Sequence, residues 1–279
     1  MDKQTDGLTL VLGGTGKTGR RVADILRAQG SSVRVASRTS RVRFDWHDRE
    51  TWADALAGVS GVYLAYSPDL AVPGTRAVIA EFVEKAVSHG VTRLVLLSGR
   101  GEEEAQACEA IVQQASLDWT ILRASWFMQN FSEGDFLGMV RAGAITLPVR
   151  EVPEPFIDVR DIAEVAVAAL TEVGHASRIY ELTGPRLLTF QELAGEISEF
   201  AGREVRLVPV SETEFAHTLE SVGTPAEVVW LMNYLFTTVL DGRNACLANG
   251  VERALGRRPR DFAEFARDAA ATGAWRAVG

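Results

Sequence analysis

The residues best suited to chemistry by type and spacing are glycines near the start of the chain. Gly13, Gly16 and Gly19 fit G-x-x-G-x-x-G, and Gly14, Gly16 and Gly19 also fit G-x-G-x-x-G, within the run VLGGTGKTGRRV. A dinucleotide pyrophosphate must come close to backbone N–H groups at a helix N-terminus, where unpaired donors and the helix dipole favour negative charge. Side chains would block that approach. Gly13 is therefore expected to make the tight turn, Gly16 to admit the phosphates, and Gly19 to let the helix lie close on the sheet. Gly13, Gly14, Thr15, Gly16, Lys17, Thr18 and Gly19 form the candidate cofactor loop.

The end of the next apolar run decides which nicotinamide cofactor fits. An acid there takes the adenosine 2′-hydroxyl, whereas an arginine suits a 2′-phosphate. The sequence has Ser37-Arg38 and no acid. Guanidinium forks match phosphate oxygens, so Arg38 is the expected 2′-phosphate ligand, with Ser37, Arg41 and Arg43 as helpers, and NADP(H) is favoured over NAD(H). The alternative is a solvated basic loop. Asp45, Tyr66 and Ser98 complete the candidate cofactor set.

Ser98 and Tyr66 are also the candidate catalytic residues, with Arg100 and Glu102 as further polar candidates. Trp126, Phe127 and Asn130 lie in an aromatic-rich stretch that could line a pocket accepting an aromatic substrate, and Phe156 follows it. A core helix over 126–140 accounts for the same pattern equally well. Neither metal nor nucleophile chemistry has support. His47, His89, His175 and His217 lack metal spacing and are expected at the surface; Cys108 and Cys246 are unpaired in spacing, Cys108 being expected inside a helix. No G-x-S-x-G elbow is present.

The elements needed to position these residues are legible in the hydrophobic pattern. Leu8 to Leu12 reads as a strand, and Val22, Ala23, Ile25 and Leu26 follow at helical spacing. Ser32 to Ala36 is the next strand, then Phe44 to Trp46, Gly61 to Ala65, the near-continuous apolar run Arg93 to Leu97, and Trp119 to Leu122. Helices are expected between them. Such alternation predicts an α/β fold with a Rossmann-type doubly wound parallel sheet. Ligands of such sheets bind beyond the strand C-termini, which gathers Gly13–Gly19, Ser37-Arg38, 65–68, 98–101 and 124–127 around one crevice.

Later residues change character. A long loop punctuated by Pro148, Pro153 and Pro155 precedes Asp158 and Asp161, either of which could cap an apolar helix over 162–170. Capping-box spacing recurs at Thr189–Glu192 and Ser211–Glu214. The expected organisation is an NAD(P)-binding domain over 1–150, with 156–183 returning to it, and a smaller, mostly helical substrate domain over 184–279. A net charge of −8 argues against nucleic-acid or anionic-membrane binding. The polar N-terminus and the lack of a long apolar run place the protein in the cytoplasm by default.

The runs VLGGTGKTGRRV, RLVLLSG, WTILRASWFMQNF and EPFIDVRDIAEVA, with the strand end ASR and the segment FDWHD, resemble the NmrA-like family of atypical short-chain dehydrogenases/reductases. The ergot-alkaloid-type NAD(P)-binding reductases, festuclavine/agroclavine dehydrogenase-like, are the nearest likeness within it. The resemblance spans about residues 8–200. It implies a Rossmann domain, an NADP(H) preference and a small C-terminal domain. It also implies a small-molecule substrate and, for some members, a place in secondary metabolism; a homodimer is possible.

One departure from the wider superfamily is countable. A Tyr-x-x-x-Lys pair lowers a phenol pKa for proton exchange with substrate oxygen. Here Tyr63, Tyr66, Tyr180 and Tyr234 are followed four positions on by Ser67, Leu70, Gly184 and Thr238, and the lysines are Lys3, Lys17 and Lys85. Two readings follow. One is an NADP(H)-dependent reductase of a small aromatic, quinone or iminium-like substrate. The other is a non-catalytic NADP(H)-sensing regulator or scaffold, or a natural-product pathway protein that steers aromatic polyketide coupling.

Overall fold

The computed structural model describes residues 7–149 and 151–277. Contacts divide the chain into two compact units: one holds 1–124, 160–182 and 249–257, the other 125–159, 183–248 and 258–279.

In the first unit the apolar runs become strands of one parallel sheet. They are β1 (Leu8–Leu12), β2 (Val33–Ser37), β3 (Val42–Arg43), β4 (Val59–Leu64), β5 (Arg93–Gly99), β6 (Asp118–Ala124), and, after the β7 described below, β8 (Arg178–Leu182). The spatial order is β3-β2-β1-β4-β5-β6-β8, and every neighbouring pair is parallel. The reversal between β1 and β4 is the topological switch point at which such sheets bind ligands. Helices α1 (Lys17–Ala28), α2 (Glu50–Leu56), α3 (Thr75–Ser88) and α4 (Glu103–Gln114) connect the strands, and most of α7 (Val159–Thr171) belongs to this unit.

Parallel strands covered on both faces read as continuous apolar runs, and Leu10, Leu12, Val62, Leu64, Leu94 and Leu96 are fully buried. The third strand is Val42–Arg43, not the expected 44–46. Phe44 and Trp46 instead turn their rings inward, 4.7 Å apart and packed against Trp52 and Phe82. Aromatic burial of this size outweighs continuation of a sheet edge.

The second unit contains α5 (Asn130–Glu133), α6 (Leu137–Ala142), α8 (Phe190–Ala201), α9 (Glu212–Ser221), α10 (Ala226–Tyr234) and α12 (Phe262–Ala271). It also has a small parallel sheet of β7 (Ala144–Leu147) and β9 (Arg206–Pro209). Both capping boxes form, at Thr189–Glu192 and Ser211–Glu214. A π-helical turn, Leu235–Val239, follows α10 directly. Four details differ from the sequence reading. Extended Gly134 separates α5 from α6, where a single core helix over 126–140 was one of the two readings. An unforeseen strand, β7, ends just before Pro148 opens the expected loop, and α11 (Gly250–Leu255) returns to the first unit, where a Cβ at Gly250 would stand 2.2 Å from the Glu181 carbonyl oxygen. The contact boundary also falls after Ala124, against the expected 150, because Phe131, Phe136, Val140 and Ile145 pack with Phe190, Leu193 and Ile197. Among the described residues no helix is long and apolar enough to cross a membrane.

Candidate functional site

The glycine loop runs from the end of β1 into α1. Gly13 adopts φ +66°, a conformation that side chains disfavour, and its carbonyl accepts a hydrogen bond from the Gly16 N–H at 2.8 Å. A Cβ at Gly19 would lie 2.3 Å from that same carbonyl oxygen. The close approach expected of Gly19 is thus to the loop's own backbone. Gly14 is constrained from another side, since a Cβ there would meet Val35 Cγ1 of β2 at 2.5 Å. Thr15 and Gly16 are exposed, Lys17 is half-buried, and Thr18, in the first turn of α1, is buried. No side chain caps α1 and its first turn carries no acid. An open, uncapped N-terminus of this form suits an anion such as the pyrophosphate of a dinucleotide.

Ser37 ends β2 and holds the following turn: its Oγ accepts from the Ser40 N–H at 3.1 Å and lies 2.5 Å from Ser40 Oγ. Arg38 follows, exposed, with no ion pair among the described residues. Arg41 is exposed too, whereas Arg43 pairs with Asp48 at 3.4 Å. Asp45 builds a turn in which its Oδ1 accepts from the His47 N–H at 3.0 Å and its carbonyl accepts from Trp52 Nε1 at 2.8 Å. Tyr66, just beyond β4, is half-buried with its ring 4.8 Å from Trp46. The sheet order brings all of these to the C-terminal edge of the first unit, together with Ser98.

Ser98 is more constrained than its position in the sequence suggests. It is buried, and its hydroxyl donates to Glu109 Oε1 at 2.6 Å. Arg123 of β6 also holds Glu109, Nη2 donating to Oε2 at 2.7 Å and Nε to Oε1 at 3.0 Å, and reaches Glu181 at 3.4 Å. Arg100 Nε donates to the other oxygen of Glu181 at 2.8 Å. Burial works to raise the Glu181 pKa, but the two guanidiniums outweigh it and hold the carboxyl below its ordinary range. Sequence reasoning missed Glu109, Arg123 and Glu181. A signal for Glu109 existed: it shares the buried face of α4 with Ala105, Cys108 and Val112, and a charge on an apolar stripe needs a partner.

Trp126, Phe127, Asn130 and Phe156 belong to the second unit. Trp126 and Phe127 are half-buried, and the Trp126 ring lies 4.9 Å from Phe236 on the π-helical turn and 5.9 Å from Phe190. Asn130 opens α5. Phe156 is 1% exposed, wedged edge-on against Phe190 at 5.2 Å, so it is a core residue instead of the pocket lining expected. Asp158 is buried and accepts from Gln129 Nε2 at 2.8 Å, while Gln129 Oε1 accepts from the Val159 N–H at 2.9 Å. Asp161 pairs with Arg257 at 2.7 Å.

His47, His89 and His217 are exposed as expected, but His175 is buried, its Nδ1 lying 2.9 Å from Tyr180 Oη. Burial also lowers the His175 pKa and pushes the Cys108 thiol up to about 11, away from reactivity. Among the described residues no group of three or more His, Cys, Asp or Glu could hold a metal ion.

The sequence matches the family described as NAD(P)H-binding over residues 13–173. It is 34% identical to the agroclavine dehydrogenase of Claviceps fusiformis over 283 residues, covering 93% of this chain and 96% of that protein. The fold resembles that of the Citrobacter sp. triphenylmethane reductase complexed with NADP(H), with a TM-score of 0.73 at 21% identity over 94% of this chain and 99% of that one. It also resembles NmrA, a negative transcriptional regulator in complex with NAD, with a TM-score of 0.72 at 14% identity over 97% and 98%. The glycine loop at the sheet's switch point and these matches agree: the chain belongs to the NAD(P)H-binding family, with oxidoreductases among its relatives.

Proposed function

We propose that this protein is an NADP(H)-dependent reductase of a small planar substrate, a quinone, an iminium or a related aromatic cation, and that it works without a Tyr–Lys pair. The observation that carries the cofactor choice is Arg38, exposed and without an ion pair among the described residues at the end of β2, where no acid is available to select a 2′-hydroxyl. Gly13 to Gly19 hold the pyrophosphate at the N-terminus of α1, and Arg38 holds the 2′-phosphate with Arg41 beside it in the sequence. Arg43, paired with Asp48, is a weaker helper than Arg41.

A bound nicotinamide supplies the hydride, so the chain's own residues have to bind, orient and manage protons. Absence of Tyr-x-x-x-Lys in the sequence narrows the substrate. A cation that accepts hydride forms a neutral product and needs no proton, whereas a carbonyl oxygen must be protonated as charge builds on it. The dehydrogenase name of the Claviceps relative supports nicotinamide-linked redox chemistry. Trp126, half-buried over the buried rings of Phe236 and Phe190, gives an aromatic face of the kind that planar substrates stack on.

The deciding experiment follows NADPH and NADH consumption with a panel of quinones, cyclic iminium ions and triarylmethane cations. Turnover with NADPH well above NADH is the expected result. Tight NADPH binding with no turnover on any of them overturns the reductase reading. Unequal affinities for NADP+ and NADPH would then favour a sensor, because only a ligand that discriminates between states can shift an equilibrium.

A further inference from the structure

Two carboxyls of the first unit meet at the C-terminal edge of the sheet, beside the network that fixes Ser98. Asp69 lies in the turn after β4, its Oδ1 accepting from the Ala71 N–H at 2.9 Å. Glu102 immediately precedes α4 and is 6% exposed. Their side chains face one another at close range. Glu102 Oε2 is buried and finds no donor among the described residues. Gly99 leaves the room for this carboxyl, since a Cβ there would stand 1.8 Å from Glu102 Oε1.

Two carboxylates in contact away from water do not both ionise, because each raises the cost of charge on the other. The surrounding charges do not relieve them. Glu109 faces the pair from α4 and adds negative charge, with Glu104 and Arg76 further around Cys108. The guanidiniums of Arg123 and Arg100 are engaged with Glu109 and Glu181. Burial first, then the charges of Asp69 and Glu109, push the Glu102 carboxyl well above the ordinary carboxylate range; burial raises Asp69 as well.

We propose that Asp69 and Glu102 share one proton in the folded protein and that this pair is the proton donor for substrates whose reduction places charge on oxygen. The donor role rests on the reductase reading above. In quinone reduction, NADPH as the named co-reactant supplies two electrons and one hydrogen as hydride, leaving a hydroquinone anion. The O–H bond of the carboxyl pair then breaks, a new O–H bond forms on the anionic oxygen, and the pair is left fully ionised. Asp69, half-buried and following exposed Ser67 and Pro68, regains the proton from water. Reduction of an iminium or triarylmethane cation draws no proton from the pair. The arrangement supplies the acid function that a Tyr–Lys pair has elsewhere, through a carboxyl kept neutral by its surroundings.

The test begins without cofactor or turnover. Thermal melting of the wild type, Glu102→Gln and Gly99→Ala is followed from pH 5 to 9. A carboxyl whose folded pKa is raised costs stability as pH climbs from its unfolded value, near 4.3, toward its folded one. The wild type should therefore lose melting temperature across this range relative to Glu102→Gln, which carries the neutral form permanently. Parallel curves overturn the shared proton. Single-turnover NADPH oxidation supplies the second readout. Glu102→Gln should slow quinone reduction ~100-fold and leave reduction of a triarylmethane cation within about twofold, and Gly99→Ala should follow the same split by displacing the carboxyl. Equal slowing on both substrates, or on neither, overturns the donor role. No turnover by the wild type on either substrate, with the melting difference intact, overturns the reductase reading and the donor role together while the shared proton stands.

Discussion

Ser98 donates its hydroxyl hydrogen to Glu109 at 2.6 Å, and both residues are buried. The serine is thereby spent on orienting a carboxylate that Arg123 also holds. Ser98→Ala should cost about 1.5–3 kcal/mol of stability, the range for a hydrogen bond to a charged group. Turnover should change by less than about threefold, well short of the loss expected for an acid–base group. Urea unfolding together with steady-state kinetics checks both halves. A hundredfold loss of turnover at unchanged stability would return Ser98 to the reacting centre.

Arg38 should decide the cofactor. Arg38→Ala is expected to weaken NADPH binding about tenfold or more, roughly 1.4 kcal/mol, as a charge-assisted contact to phosphate is lost. NADH binding should stay within about twofold, because that cofactor has no 2′-phosphate. Isothermal titration with both cofactors on both proteins makes the comparison. An equal loss for the two would assign Arg38 to the loop's structure and leave the NADP(H) preference unsupported.

How far the sequence could be read depended on whether the signal was local. The glycine loop was legible because its constraints lie within a few residues: Gly13 must turn, and Gly19 must touch Gly13. The capping boxes at Thr189 and Ser211 were legible for the same reason. Glu102 was a polar candidate, but its meeting with Asp69 was not legible, since nothing in either segment says that the loop after β4 meets the start of α4. Phe156 reads as aromatic in either setting, and only packing against Phe190 shows that it belongs to a core. The strand β7 was hidden because its partner β9 lies about sixty residues away and Pro148 follows it directly.

Arg186 joins two acids of the second unit, donating to Glu196 at 2.6 and 2.8 Å and to Asp261 at 2.7 and 2.8 Å. Its hydrogen bonds, more than any other influence, hold the Asp261 carboxyl below its ordinary pKa. Asp261 also caps α12, accepting from the Ala263 N–H at 2.9 Å. A depressed folded pKa gives stability that is present above the unfolded value and lost as pH falls through the folded one. Arg186→Met should therefore destabilise the protein by about 1 kcal/mol at pH 7, a modest figure because the partners are partly exposed. The difference from wild type should shrink as pH falls below the ordinary carboxylate range and Asp261 takes up its proton. Denaturant melts at pH 7, 5 and 3 measure it, and a difference that does not shrink at all from pH 7 to pH 3 would mean that lost packing of the arginine stem, not pairing, is responsible.

Trp126 and Phe156 both lie in the aromatic assembly of the second unit, but the structure separates their roles. Phe156 is 1% exposed and meets Phe131, Phe190 and Phe262 edge-on, so it has no face left for a ligand. Phe156→Ala should cost about 3–5 kcal/mol, the transfer and cavity cost of a buried aromatic. Phe156→Leu should lose less and leave KM unchanged. Trp126 is half-buried, with Phe236 supplied by the π-helical turn, an irregularity that often marks functional segments. Trp126→Leu should therefore raise KM for planar substrates about tenfold, the weight of a lost stacking contact, while reducing stability less than Phe156→Ala. Steady-state kinetics on the best substrate of the panel, with urea unfolding of each variant, separates the two effects. If Trp126→Leu costs as much stability as Phe156→Ala and leaves KM untouched, Trp126 is part of the core, and the aromatic residues of this unit support its fold alone.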